Sequence, residues 1–245
     1  MIPRISLALS LALALNACRA VPTEPRASLA GFGLAAHEGA TERDPGVAAI
    51  DGPGRSATEQ DIRDELRERG ESADRPRLAL VEVVRDGPEQ VAASLGPEDL
   101  AAFETGWGAS SPKIQTVPGF LLPRRLGWTD LRYCAARSGA DHLVILTRAT
   151  ERERYANGWS VLYLTIVGCL IVPGHTVEVW SSVEAAYVDV KTGRVLAVAS
   201  AGHRSESSHL LITAGPAAER EDVRENHEAM LKSLGDKLSR TVPRP

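Results

Sequence analysis

TDLRYCAARSGADHLVILTRATERERY, residues 129–155, passes from one hydrophobic period to another without a break. Residues 129–138 suit a helix with Leu131, Cys134 and Ser138 on one face, and Gly139 can take the left-handed backbone that closes it. Ala140 and Asp141 then lead straight into the apolar run HLVIL. A helix, a glycine and a strand joined this tightly form an αβ unit, and the flanking segments are read around it.

Upstream, RLALVEVVR at residues 77–85 has the length and continuous apolar character of an interior strand, stopped by Asp86-Gly87-Pro88. Pro97-Glu98-Asp99 opens a helix carrying Leu100 and Phe103, with its acids in the first turn where the helix dipole favours them. A short strand is expected within residues 113–122, confined to a sheet edge by Pro118. Ser56-Ala57-Thr58-Glu59 has capping-box spacing and predicts an amphipathic helix that turns Ile62 and Leu66 inward and stops at Gly70.

Downstream, WSVLYLTIVGCLIV at residues 159–172 is apolar at both parities. Tyr163, Val167 and Ile171 lie on one side, with Leu162, Leu164, Ile166 and Leu170 on the other, so a strand here needs both faces covered. Residues 175–190 alternate more clearly, Lys191-Thr192-Gly193 turns the chain, and residues 194–199 return it, giving a three-strand meander. Residues 201–215, rich in Ser, His and Gly, read as a loop around a short strand HLLI. A last helix over residues 217–239 places Val223, Met230, Leu231, Leu234 and Leu238 on one face. The expected fold is therefore α/β (α+β): a single mixed sheet of about five strands with three to four helices, one of them C-terminal, in a single domain over residues 59–245.

The N-terminus carries a different signal. Met1 and Arg4 precede ISLALSLALAL, an apolar run of eleven residues that fits the core of an export signal and falls short of the roughly 20 needed to span a bilayer. Leu15-Asn16-Ala17-Cys18 resembles the bacterial lipobox, in which the cysteine becomes a lipid-modified N-terminus. On this reading residues 1–17 are removed and Cys18 is the lipidation site. Each buried CH₂ of its acyl chains contributes about 0.8 kcal/mol to membrane attachment, so two or three chains hold stably. Ordinary secretory cleavage after Ala20 is the alternative. Arg19 after the cysteine, where Asp would favour retention, is compatible with sorting to the outer membrane. Residues 18–58, with ten Gly or Pro in the forty residues from Arg19 on, cannot bury enough surface to offset their ordering entropy; they read as a disordered tether with a span of roughly 35 Å.

Composition narrows the function classes. With 43% hydrophobic residues there is material for a real core, and 28 Lys plus Arg against 32 Asp plus Glu leave a net charge of −4. No stretch is strongly basic, so a nucleic-acid partner is not expected. No G-x-S-x-G elbow or H-E-x-x-H pair occurs, and no catalytic residue is assigned. Gly31-Phe32-Gly33-Leu34-Ala35-Ala36 matches a dinucleotide fingerprint, but no strand precedes it to deliver the loop, so no cofactor is expected. His203, Glu206 and His209 are weak metal-ligand candidates: the ligand types suit zinc, yet a loop fixes no geometry for them. His227 shares a helix face with Val223 and Met230 and reads as a partly buried histidine. Cys134 and Cys169 could bridge in an oxidising compartment, although two buried free thiols fit their apolar settings better.

SGADHLVIL at residues 138–146 and YVDVKTGRVLAVASAG at residues 187–202 resemble the periplasmic α/β domain shared by the TolB N-terminal region and the curli-secretion lipoprotein. In those proteins a helix ending in G-A-D enters a strand and a later strand carries a D-x-x-T-G turn. YLTIVGCLIVPGHTVEVWSSVEAAYVDVKTGRVL, residues 163–196, is similar to rhombotarget lipoproteins, lipid-anchored bacterial proteins of unknown function. The likeness runs over residues 77–202 and implies a lipid-anchored envelope protein. Gly139, Asp141, Asp189, Thr192 and Gly193 have turn-forming roles on physical grounds. The functional expectation is a non-catalytic module that faces the periplasm, held to the membrane by its lipid, and binds an envelope protein or its own copies. A membrane-tethered periplasmic enzyme, with a metal among the options, is the alternative.

Overall fold

The computed structural model describes residues 56–70, 76–86, 89–109, 112–123, 126–156, 175–209 and 216–242. The elements are α1 (Glu59–Arg69), β1 (Arg77–Asp86), β2 (Glu89–Ala93), α2 (Pro97–Trp107), β3 (Lys113–Thr116), a 3₁₀ turn (Gly119–Leu121), α3 (Trp128–Arg137), β4 (His142–Ala156), β5 (His175–Asp189), β6 (Val195–His209) and α4 (Pro216–Thr241). The strands form one mixed sheet in the order β2-β1-β4-β5-β6, with β3 also on β1. β1 runs parallel to β4, from Leu78 opposite His142 to Val83 opposite Thr147. Along its other edge β1 pairs first with β3, in parallel, and then with β2, antiparallel. This is the α/β fold with a mixed sheet and a C-terminal helix that the sequence predicts.

By compactness the described residues divide into two units, one of those within 56–149, 181–203 and 227–242, the other of those within 150–156, 175–180, 204–209 and 216–226. In the first, side-chain alternation sends β1 residues to opposite faces of the sheet. Leu78 and Leu80 join Val144, Leu146, Val183, Ala185 and Tyr187 beneath Phe103 of α2 and Met230, Leu231, Leu234 and Leu238 of α4. Ala79, Val81 and Val83 join Leu143, Ile145, Ala186 and Val188 beneath Ile62 of α1 and Leu131, Cys134 and Ala135 of α3. Each large aliphatic side chain buried this way contributes about 1.5–3 kcal/mol, which makes two-sided burial, rather than edge hydrogen bonds, the main support of the central strands. Helices α2 and α4 meet backbone to backbone: a Cβ on Gly106 would lie 2.0 Å from the Lys232 carbonyl oxygen, and one on Gly235 would lie 2.4 Å from that of Phe103.

The described residues of the second unit include a cluster of hydrogen-bonded polar side chains. The buried Asn226 donates its Nδ2 to the Val179 carbonyl at 3.2 Å and to Ser205 Oγ at 3.1 Å. Ser207 Oγ donates to Asp222 at 2.6 Å, and Thr176 and Ser208 hydroxyls lie 3.3 Å apart.

Several local expectations need correction. The capping box of α1 is Thr58 with Asp61, not Ser56 with Glu59: Thr58 Oγ1 accepts from the Asp61 N–H at 3.2 Å, and the Thr58 N–H donates to Asp61 Oδ2 at 2.7 Å. A shorter acid does the same job there, and Glu59 is left to reach elsewhere. Residues 201–209 are not loop but the second half of β6. Their serines fit a strand because side-chain partners satisfy the hydroxyls. β2 was not expected from the sequence at all. The apolar run at residues 159–172, Cys18, the segment before residue 56 and Cys169 lie outside the described residues. Among the described residues no helix is long and apolar enough to cross a membrane.

Candidate functional site

The chemistry-bearing side chains of the larger unit gather in three places, two of them along α3. The Arg132 side chain is 2% exposed and still meets a partner with each nitrogen. Nε donates to the Val190 carbonyl at 3.0 Å, and Nη2 donates to the same oxygen at 2.9 Å and to the Lys191 carbonyl at 3.1 Å. Glu59 closes the fork, with Oε2 accepting from Nη2 at 3.1 Å and Oε1 accepting from Nη1. A buried guanidinium is tolerable on these terms because its charge is paired and its donors are used. The carbonyls it holds belong to the β5–β6 turn, whose other side is set by Asp189 Oδ1 accepting from the Thr192 N–H at 2.6 Å and the Thr192 hydroxyl at 2.7 Å.

Asp141 makes the second gathering. Its Oδ2 accepts from the Arg77 N–H at 2.9 Å, and its Oδ1 accepts from Arg69. Its backbone N–H donates to the Arg77 carbonyl at 2.8 Å, and its own carbonyl accepts from the Val190 N–H at 3.0 Å. One side chain thus ties the end of α1 to the starts of β1 and β4. At the other end of α3, Asp130 Oδ1 accepts from the Ala57 N–H at 2.9 Å. Burial pushes the Asp130 carboxyl above the usual range, against the lowering effect of the Ala57 hydrogen bond.

The third gathering is on the α2/α4 face. Arg148 Nε and Nη2 donate to the two oxygens of Glu82 at 2.6 and 2.5 Å, and Nη1 donates to Asp99 at 2.9 Å. Burial works to lower the Arg148 pKa, and Glu82 with Asp99 outweighs it. His227 of α4 is held below the ordinary imidazole value, first by burial and then by the Arg148 charge, with Asp99 and Glu82 opposing. Cation and carboxylates here are spent on each other.

Two surfaces carry apolar groups outward. Phe120 in the 3₁₀ turn is 86% exposed. The turn itself is fixed by Leu121 N–H to Pro118 carbonyl at 2.9 Å and Leu122 N–H to Gly119 carbonyl at 3.2 Å. On β6, last in the strand order, Leu196 and Val198 are 36% and 64% exposed.

No protein-family model matches the chain, and no curated protein matches it. Among solved structures it is similar to the PelC dodecamer from Paraburkholderia phytofirmans, with 14% identity over 69% of this chain and 89% of that one and a TM-score of 0.30. A minor lipoprotein from Acinetobacter baumannii gives 9% identity over 71% of this chain and 100% of that one, with a TM-score of 0.29. A hypothetical protein from Chlamydia trachomatis gives 12% identity over 69% and 98%, with a TM-score of 0.30. Likeness at this level carries no functional argument.

The residues singled out in the sequence fall as follows. β6 alternation places Glu206 on the face opposite His203, and Glu206 accepts from the Tyr155 hydroxyl at 3.0 Å; the His209 side chain lies outside the described residues. Among the described residues no three His, Cys, Asp or Glu side chains come close enough to hold a metal ion. Between His203 and Glu206, Arg204 pairs with the fully buried Glu178 and lies over the Trp180 ring, 4.5 Å from its centroid. Cys134 is a free, buried thiol whose Sγ donates to the Leu121 carbonyl at 2.6 Å. Gly139 takes a φ of 84° and Gly193 one of 71°, as turn roles require. Arg132, Arg148 and Phe120 were missed. Arg148 had one sequence signal, a cation directly in phase with the apolar Val144 and Leu146.

Proposed function

We propose that this chain is a lipid-anchored protein of the bacterial cell envelope, facing the periplasm, whose folded part binds another envelope protein or its own copies and performs no catalysis. The observation that carries this reading is Leu15-Asn16-Ala17-Cys18 placed directly behind an eleven-residue apolar run. Arg19 favours the outer membrane as the destination. The fold adds two supports. Its buried charges are committed to one another, as in the Arg148 and Arg132 assemblies. Among the described residues β6 ends the strand order and exposes Leu196 and Val198, and such an edge can accept an added strand.

The test is the mature N-terminus. The protein purified from its host should begin at Cys18 and carry acyl chains in the mass spectrum, and Cys18→Ala should abolish labelling by radioactive palmitate. A mature chain beginning at residue 21 would refute the anchor. Cross-linking in intact cells should then trap one protein or a second copy, while a product-forming activity in the purified protein would favour the enzyme.

A further inference from the structure

We infer that Arg69 and Arg77, which converge beside Gly139, form a binding site for the carboxylate group of a ligand. The inference is independent of the N-terminal anchor and adds a polar site to the fold. Gly139 follows α3 with a φ of 84°, and a Cβ built there would lie 3.2 Å from Arg77 Nη1 and 3.9 Å from Arg69 Nη1. With no such carbon, two guanidiniums close on one place. Like charges come together at a cost unless something negative lies between them. Asp141 meets half of that need: Oδ1 accepts from Arg69 Nη2, and Oδ2 is taken by the Arg77 backbone N–H at 2.9 Å. Arg69 Nε and Nη1 are left buried with no hydrogen-bond partner, and the Arg77 guanidinium has no acceptor among the described residues.

The end of α3 does not supply the missing acceptors. Its last carbonyls are engaged: those of Cys134, Ala136 and Ala135 accept from the N–H groups of Ser138, Gly139 and Ala140, and the Ser138 carbonyl accepts from Gln115 Nε2 at 2.6 Å. Buried donors on a charged group are expensive to leave unmet, which makes an incoming oxyanion favourable here. One positive charge remains after Asp141, so a carboxylate balances the corner. A phosphate dianion would overfill it beside Asp141 and the negative end of the α3 dipole. The Arg69 side chain is 20% exposed and Arg77 is half-buried, so the corner lies at the surface. A partly exposed arginine exchanges rotamers quickly, and a swing of Arg77 admits the ligand to the buried donors. The carboxylate then bridges the two Nη1 groups, one oxygen to each.

The experiment titrates sodium acetate into the purified, isotope-labelled protein, against sodium chloride at equal ionic strength, and follows the Arg69 side-chain N–H and the Gly139 amide by NMR. Both signals should move along a saturating curve with acetate and stay in place with chloride and with acetamide. Arg77→Gln should weaken acetate affinity about tenfold, the usual loss for one hydrogen bond to a charged group, while Arg63→Gln, at an exposed position of α1, leaves it unchanged. The amide spectrum of each variant reports its folding in the same sample. A linear shift that chloride reproduces overturns the proposal as an adventitious ion only. Saturable acetate binding that survives Arg77→Gln also overturns it, and tighter binding of inorganic phosphate than of acetate overturns the choice of carboxylate. Trialanine bound more tightly than acetate assigns the group to a peptide end and equal affinity assigns it to a small molecule; either result supports the site.

Discussion

Arg148 and Glu82 meet as a two-bond fork across neighbouring parallel strands, at 2.6 and 2.5 Å. Glu82 is 8% exposed, so removing the guanidinium leaves a carboxylate with neither water nor counter-charge. Arg148→Ala should cost about 3–5 kcal/mol in urea unfolding. Arg148→Met combined with Glu82→Leu should recover most of that loss, since the pair is then replaced by apolar volume instead of being broken. A double variant as unstable as the single one would show that the fork is not the source of the cost.

Gly193 sits where both its conformation and its space are specified. Its φ is 71°, and a Cβ would lie 2.8 Å from Arg132 Nη1. Gly193→Ala should destabilise by about 1–2 kcal/mol from backbone strain alone, with the clash in addition. In the background of Arg132→Met the same change should cost less. The coupling energy of this double-mutant cycle measures the contact, and additive losses would mean that the guanidinium simply moves aside.

His142 stacks on Tyr187 with ring centroids 5.1 Å apart, and its buried Nδ1 has no hydrogen-bond partner. Burial lowers its pKa, with Asp189 and Asp141 opposing. An imidazole harder to protonate folded than unfolded costs stability where the unfolded chain takes up the proton. Stability should therefore be full above about pH 6.5 and fall as the pH drops below it. His227, lowered in the same direction, adds to the slope. His142→Phe keeps the ring contact and should shrink the difference in urea midpoint between about pH 7.5 and about pH 5.5. An unchanged difference would remove His142 from the account.

The Cys134 thiol is pushed up to about 12, first by burial and then by the Asp130 charge. Thiolate is the reactive form, so the native protein should resist iodoacetamide at this position on the timescale of hours. Peptide mass mapping should find Cys134 modified only after denaturant is added. Rapid modification in buffer would show that the turn above it opens.

Much of the fold was legible because the central elements carry their own punctuation. β1 and β4 are apolar on both faces, α3 ends at Gly139, and Asp189 to Gly193 spells a turn in its side chains. β2 was not legible: EQVAA has no pattern of its own, and it becomes a strand because β1 offers it an open edge. The second half of β6 reads as loop because Ser, His and Gly disfavour strands locally, and its partners Asp222, Asn226 and Thr176 come from elsewhere in the chain. The Arg132 and Arg148 assemblies were hidden for the same reason, since which carboxylate meets which arginine is decided by packing. The proposed anchor is the opposite case, since its signal is written entirely in adjacent residues.

The bond from Ala57 to Asp130 and the fork from Glu59 to Arg132 have a mechanical consequence. Tension arriving along the N-terminal segment would not peel α1 away one contact at a time. It passes within three residues into α3 and, through Arg132, into the β5–β6 turn, so the strain is shared as shear between a helix pair and the sheet. A domain fastened in this manner can be pulled from its N-terminal side and keep its shape.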